Sequence, residues 1–163
     1  MTPRPSVGPD RMAKELAALG YPGFAYMRGG RRRNPAEVLF CALAQNDLEP
    51  RLTEALPWVL TQYADLDWNW LVSAVKQHDL QNRLGFLTTL AVQMAESRNT
   101  GASDVQLLKQ YENELKQSLL AKEDTLCHES LSNAERAWLR QERPEEAGQW
   151  NLLTDLKVKH AHA

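Results

Sequence analysis

Cysteine is scarce in this sequence of 163 residues, and it contains no long apolar run. With only Cys41 and Cys127, far apart in the chain, we expect two small buried thiols, as is typical of a protein in a reducing cytoplasm. No stretch approaches the roughly 18 consecutive apolar residues of a membrane-spanning helix, and the first residues lack the apolar core of a signal peptide. These absences predict a cytoplasmic protein that does not enter the membrane.

The sequence also lacks the alternation of apolar and polar residues that predicts a β-strand. Apolar residues instead recur every three or four positions, as they do on the buried face of a helix. We therefore predict an all-α fold, a single-domain bundle of about six to seven helices. The predicted helices cover residues 11–19, 35–46, 50–63 with a break at Pro57, 68–77, 80–96, 103–122 and 132–141.

The chain divides into three predicted segments. Residues 1–34 form a basic, partly flexible N-terminal arm with one short helix, residues 35–157 form the helical domain, and residues 158–163 form a disordered tail. The helix starts are predicted from polar side chains that can cap free backbone N–H groups. These capping residues are Asp10, Asn34, Asp67, Asp79, Ser103 with Asp104, and Ser132 with Glu135.

Charge is distributed unevenly, although the formal net charge is only −2. Residues 1–34 carry seven basic and two acidic side chains, whereas the remaining residues carry 12 basic and 19 acidic ones. A basic arm can contact phosphates, and an acidic body can cover a basic surface of a partner protein. An ordinary solvated surface is the alternative interpretation of both.

Arginine is densest around two glycines, at Arg28, Arg31, Arg32 and Arg33. Arginines separated by glycine can lie in a narrow minor groove of DNA, where the electrostatic potential is most negative. We predict these four as nucleic-acid-binding residues, although the central proline of an AT-hook is missing. The alternative is a mobile loop whose arginines pair with the acidic body.

A second candidate for DNA recognition follows the predicted turn at residues 78–79. A helix-turn-helix there would place Gln81 and Arg83 at the start of a recognition helix, where such side chains read base edges. We therefore add Gln81 and Arg83 to the candidate nucleic-acid-binding residues. The alternative is a buried hydrogen-bond cluster in which Arg83 pairs with Asp65 or Asp67.

Tryptophan is frequent, with five copies in the chain. Exposed tryptophans form interaction hot spots because they bury a large area at low entropic cost. We predict Trp68, Trp70, Trp138 and Trp150 as partner-binding residues. Packing in the core is the alternative, above all for Trp68 and Trp70, which lie in a strongly periodic part of the sequence.

Motifs of catalysis are absent from the sequence. It contains no phosphate-binding loop, no nucleophile elbow and no HExxH motif. Cys127 and His128 are adjacent, but neighbouring side chains on a helix point apart, and no second cysteine or histidine lies at ligand spacing. We therefore predict a protein that is not an enzyme and binds neither a metal nor a cofactor.

Five segments carry a resemblance to a known family. They are Arg28–Pro35 (RGGRRRNP), Leu48–Leu60 (LEPRLTEALPWVL), Asp65–Val72 (DLDWNWLV), Asp79–Leu87 (DLQNRLGFL) and Glu123–Cys127 (EDTLC). Over about residues 21–157, the sequence resembles small helical bacterial proteins that are associated with toxin–antitoxin loci of the abortive-infection nucleotidyltransferase type. Within such a locus, the resemblance implies an antitoxin or an accessory regulator.

The resemblance implies a non-catalytic protein that binds and neutralises a cognate toxin, for which a nucleotidyltransferase is the candidate. The acidic helical body would cover a basic surface of that toxin. One alternative is a DNA-binding transcriptional regulator that places the arginine-rich arm on promoter DNA. Another is an accessory subunit of a larger phage-defence complex.

Overall fold

The computed structural model describes residues 3–27 and 30–158, and nine α-helices make up most of these residues. The helices are α1 (Pro9–Ala18), α2 (Pro35–Leu43), α3 (Pro50–Thr53), α4 (Leu56–Gln62), α5 (Trp68–Gln77), α6 (Gln81–Ser97), α7 (Ala102–Lys116), α8 (Asn133–Glu142) and α9 (Glu145–Gln149). A 3-10 segment, Pro22–Met27, follows α1. The predicted all-α class is confirmed for the bulk of the described chain.

Two short strands form a parallel pair that the sequence analysis did not predict. Strand β1 (Asp124–Thr125) pairs with β2 (Leu152–Leu153), with Asp124 opposite Leu152. Two residues are too few to produce an alternating pattern, so periodicity could not reveal these strands. The pair joins the chain that precedes α8 to the chain that follows α9.

Helix α6 lies at the centre of the fold. Fourteen of its 17 residues are buried, and it packs against α4, α7 and α9. Its leucines, including Leu84 and Leu87, have no exposed surface. A helix enclosed on nearly all sides buries its polar residues together with its apolar ones, and each buried polar group needs a hydrogen-bond partner.

Three predicted caps are confirmed. The Asn34 side chain accepts the backbone N–H two residues further on, at 2.9 Å, and Asp67 accepts the N–H of Trp70 at 3.2 Å. Ser132 and Glu135 make both hydrogen bonds of a capping box at the start of α8. These bonds lie within three residues along the chain, which is why the sequence alone could predict them.

Three other predicted caps are wrong. Asp10 lies in the first turn of α1, and Ser103 and Asp104 lie in the first turn of α7, so each helix begins before its predicted cap. Asp79 has a φ of 57° and forms the turn before α6 without capping it. Aspartate tolerates this left-handed conformation because its short polar side chain can bond locally.

The predicted break at Pro57 is confirmed, whereas α2 and α7 end earlier than predicted, α2 at Leu43. The helix expected over residues 50–63 is split into α3 and α4, and Pro57 lies in the first turn of α4, where its missing N–H costs nothing. Helix α7 stops at Lys116 and leaves Leu119 outside it, 41% exposed. The Asn82 side chain accepts the Leu120 N–H at 2.9 Å and donates to its carbonyl at 3.0 Å, which gives this stretch partners outside a helix.

The described part of residues 1–34 shares one hydrophobic core with the helical domain. Met12 and Leu16 of α1 are fully buried in the same cluster as Leu39 and Leu56. Further toward the N-terminus, the Arg4 guanidinium lies 3.3 Å from a carboxylate oxygen of Glu129. The short helix of the predicted arm is therefore part of the bundle. Most of the predicted tail, residues 159–163, lies outside the described residues.

The structure also bears on the predictions made from the scarcity of cysteine and from the absence of a long apolar run. Cys41 and Cys127 are both buried and unpaired, as expected from their number and separation. Within residues 3–27 and 30–158, no helix combines the length and apolar character needed to cross a membrane.

Candidate interaction site

The arginine at the start of α6 lies inside the protein. Arg83 has no exposed surface, and its guanidinium donates to both carboxylate oxygens of Asp124, at 2.8 and 3.0 Å. It also donates to the carbonyls of Leu43 (2.8 Å) and Gln45 (3.2 Å) and to the carboxylate of Glu129 (3.2 Å). Burial lowers the pKa of Arg83, but the hydrogen bond to Asp124 and the nearby negative charges raise it overall.

The burial of these side chains contradicts their predicted role as readers of DNA bases. Gln81 is 7% exposed and donates to a backbone carbonyl beyond the end of α7, at 3.2 Å. Gln81 and Arg83 thus connect α6 to the chain that follows α7. The alternative of a buried hydrogen-bond cluster fits the structure, but Arg83 pairs with Asp124 and Glu129 instead of Asp65 or Asp67.

One arginine of the predicted nucleic-acid-binding arm is held by acidic neighbours. Arg33 donates to Glu15 at 2.7 Å and lies 3.6 Å from Glu37. Glu15 is itself 6% exposed, so Arg33 neutralises a carboxylate that is almost out of water. For this residue, the structure agrees with the alternative that arginines pair with acidic groups of the same chain.

The other arginines of the arm lie in different environments. The Arg32 guanidinium lies 5.0 Å from the centre of the Tyr63 ring, at the distance of a cation–π contact. Arg31 is exposed. Arg28 lies outside the described residues. Of the predicted nucleic-acid-binding arginines that the structure describes, Arg31 and Arg32 are therefore the two that are exposed.

Two of the four predicted partner-binding tryptophans belong to the core. Trp150 is fully buried, donates its indole N–H to the Thr89 hydroxyl at 2.9 Å, and covers Gly85, where a Cβ would lie only 2.1 Å from the ring. Trp68 is 3% exposed and stacks on Tyr111 with ring centres 4.5 Å apart. Their burial contradicts the predicted role of Trp68 and Trp150 in partner binding.

The other two tryptophans are exposed. Trp70 of α5 is 41% exposed and contacts the Phe40 ring edge-on, with ring centres 5.7 Å apart. Trp138 of α8 is 56% exposed, and Leu139 is the only buried residue of that ten-residue helix. Trp138 is therefore a large aromatic side chain on a helix that gives most of its surface to solvent.

Trp138 lines an apolar groove with a volume of about 330 Å³. The other apolar side chains of this groove are Pro50 and six leucines: Leu48, Leu126, Leu131, Leu139, Leu153 and Leu156. Of these, Leu131, Leu139 and Leu153 form a small hydrophobic cluster apart from the main core. Helix α8 thus rests on its own cluster at the edge of the molecule, and we call the surface beside it the Trp138 groove.

The charged side chains that line the Trp138 groove are acidic. Its lining includes Glu54, Glu135 and Asp155, together with His128. No lysine or arginine of the described residues lines the groove. Hydrogen bonding with the side chain and the backbone N–H of Ser132 lowers the pKa of Glu135, and that N–H donates to the carboxylate at 3.2 Å. This carboxylate therefore stays ionised at neutral pH, and the groove combines an apolar lining with negative charge.

The adjacent Cys127 and His128 do not form a reactive pair. Cys127 is fully buried, and burial raises its pKa to about 11, so its thiol is protonated at neutral pH and a poor nucleophile. His128 is exposed. Across the part of the chain that the structure describes, no three histidine, cysteine, aspartate or glutamate side chains come together as a metal site.

Sequence reasoning found Trp138 but missed the groove around it. The leucines that line the groove come from four separate stretches of the chain, so no local pattern could bring them together. One signal was present in α8, because Glu135, Trp138 and Leu139 lie at positions i, i+3 and i+4 and share a helix face. That spacing places a carboxylate, an indole and an apolar anchor side by side.

No protein-family model matches the chain, and the searches of curated proteins and of solved structures also found no match.

Proposed function

We propose that this chain is a non-catalytic, antitoxin-like protein of the cytoplasm that binds a toxin through the Trp138 groove. The observation that carries the proposal is the exposure of Trp138, 56%, beside an apolar groove. Hot spots of protein interfaces are enriched in tryptophan, and they lie where a pocket can be fully desolvated. The toxin identity rests on the family resemblance of the sequence, with a nucleotidyltransferase as the candidate.

The charge of the molecule supports a protein partner over a nucleic acid at this surface. Glu54, Glu135 and Asp155 would repel the phosphates of DNA or RNA, whereas a basic protein surface is complementary to them. A toxin that handles nucleotides or nucleic acid needs a basic surface of that kind. Covering that surface is a direct way for an acidic protein to inhibit such a toxin.

The experiment begins with purification of the tagged protein from its host, with and without nuclease, and identification of stoichiometric partners by mass spectrometry. Each partner is then expressed alone and together with the chain. We expect the partner to arrest growth alone and the chain to restore it. Trp138→Ala is expected to weaken the complex by about 2 kcal/mol, roughly 30-fold, and to lose the rescue.

Trp70→Ala is the matched control, because it removes the other exposed tryptophan and lies outside the groove lining. It should leave affinity and rescue unchanged. A partner that does not harm growth would contradict the antitoxin role. Copurification of DNA alone, abolished by Arg31→Ala with Arg32→Ala, would favour the transcriptional-regulator alternative.

A further inference from the structure

We infer that the Trp138 groove takes a basic segment of the toxin, in which a large apolar side chain is flanked by lysine or arginine. This inference rests on the proposed function and specifies the chemistry of the partner. The apolar anchor would lie against Trp138 and Leu139, and the cationic groups would lie beside Glu54 and Asp155. Both requirements come from the lining of one continuous groove.

The apolar part of the groove requires an apolar occupant. Leu131, Leu139 and Leu153 are at least 90% buried already, while Trp138 is left half-covered by its own chain. An inserted side chain would therefore complete a cluster that the fold has mostly assembled, and the burial of the indole would supply most of the gain in free energy.

The charge at the groove favours a cationic neighbour of that anchor. Of its three carboxylates, only Glu135 has a hydrogen-bond role among the described residues, in the capping box with Ser132. The arginines of α8 are engaged elsewhere, since Arg136 donates to the backbone carbonyls of Glu129 and Leu131. An acidic or neutral partner would cover ionised carboxylates without neutralising them, which is costly.

The same charges exclude other occupants. A phosphodiester backbone would bring further negative charge to three carboxylates, so the groove is unsuited to nucleic acid. A second copy of this chain carries a formal net charge of −2, so it offers the acidic groove less electrostatic attraction than a basic partner protein does. A basic segment of a different protein therefore fits the groove best.

The test uses two synthetic 12-residue peptides with the same leucine and tryptophan anchors and with either lysine or glutamate between them. Each peptide is titrated into the ¹⁵N-labelled protein while the indole N–H signals of the tryptophans are followed by NMR. We expect the lysine peptide to shift the Trp138 signal and to leave the Trp70 signal in place. The glutamate peptide should shift neither.

Two sets of variants separate charge from shape. Glu54→Gln with Asp155→Asn should weaken binding of the lysine peptide about fivefold and flatten its dependence on salt. The control is Asp65→Asn with Glu114→Gln, which removes the same charge at exposed positions outside the groove lining and should change neither. Trp138→Ala should weaken binding about tenfold or more.

The outcomes distinguish this inference from the proposed function. Equal binding of both peptides, no binding of the lysine peptide, or no effect of Glu54→Gln with Asp155→Asn would overturn the inference. If the purified toxin then still requires Trp138, the proposed function stands and only the chemistry of the partner is wrong. If Trp138→Ala leaves toxin binding unchanged as well, the proposed site itself is wrong.

Discussion

Helices α6 and α8 differ in which side chains they bury and which they expose. Helix α6 buries 14 of its 17 residues, including the charged Arg83, whereas α8 exposes Trp138 and buries only Leu139. From residue type alone, the arginine belongs at the surface and the tryptophan in the core. The structure reverses both, because Arg83 has five acceptors arranged around it and Trp138 has an unfilled groove beside it.

This difference separates a structural role from a binding role. A buried polar group whose hydrogen bonds are all made within the chain has little left to offer a ligand. An exposed aromatic beside an apolar groove still has area to bury. The comparison therefore assigns Arg83 of α6 to stability and supports the proposed binding role of Trp138 on α8, and each role can be tested by substitution.

The largest expected effect is the loss of Arg83. Arg83→Met leaves Asp124 without its cation and two backbone carbonyls without their donor, so we expect a loss of about 3–5 kcal/mol in the free energy of unfolding. Urea denaturation measures it. Arg140→Met is the control, since Arg140 pairs with Glu123 in an exposed contact, and exposed ion pairs contribute little to stability. Similar losses of stability for both variants would show that the buried contacts of Arg83 contribute no more than an exposed ion pair does.

A smaller loss is expected at the contact between α6 and the C-terminal segment. In Gly85→Ala, the added Cβ meets the Trp150 ring at 2.1 Å, and the ring must move. Overpacking of this kind costs about 1–3 kcal/mol, which a thermal melt would detect. Gly101→Ala is the control, because nothing lies within 4 Å of the Cβ it adds. An unchanged melting temperature for Gly85→Ala would show that Trp150 is not tightly held.

The smallest expected effects come from pH. High pH should destabilise the core through Cys127, and low pH should destabilise α8 through Glu135. Burial raises the pKa of Cys127 to about 11 from an ordinary value of 9.0. The stability linked to its protonated thiol is complete below about pH 9 and is lost as the pH rises toward 11. The pKa of Glu135 is lowered by Ser132, so the stability linked to the capping box is present above its unfolded pKa and is lost as the pH falls through its folded value.

Urea denaturation at pH 8 and pH 10 tests the core, and amide hydrogen exchange of α8 at pH 6 and pH 3 tests the capping box. We expect Cys127→Ala to reduce the alkaline loss and Glu135→Gln to reduce the difference in α8 between the two acidic conditions. If acid loosens α6 and α8 equally, the two helices belong to one cooperative unit and the comparison is weakened.

Sequence patterns predicted the structural features that depend on residues close together in the chain. The caps at Asn34, Asp67 and Ser132 and the break at Pro57 all follow from a few adjacent residues. The interpretation of Arg83 could not be decided in that way, because its partner Asp124 lies 41 residues further along the chain. A sequence position that suits a recognition helix also suits a buried hydrogen-bond cluster, and only the fold distinguishes them.

The candidate site was predictable only in part, for the same reason. Trp138 stood out by residue type, and Glu135 was placed at the start of α8 by the capping box. The burial of Trp150 could not be read from its neighbours, since the space that it fills is opened by Gly85 in α6. The end of α7 was also missed, because the Asn82 side chain that binds the Leu120 backbone lies on another helix.

The contact between Trp150 and α6 also has a consequence for the synthesis of the protein. Trp150 lies 61 residues after Thr89, to which it donates a hydrogen bond. At about 5–20 residues per second, a ribosome needs roughly 3–12 s to make that stretch. During this time, the side of α6 that Trp150 covers is open to chaperones and proteases. Strand β2, whose Leu153 lines the Trp138 groove, follows directly, so a nascent chain completes its core and the Trp138 groove almost together.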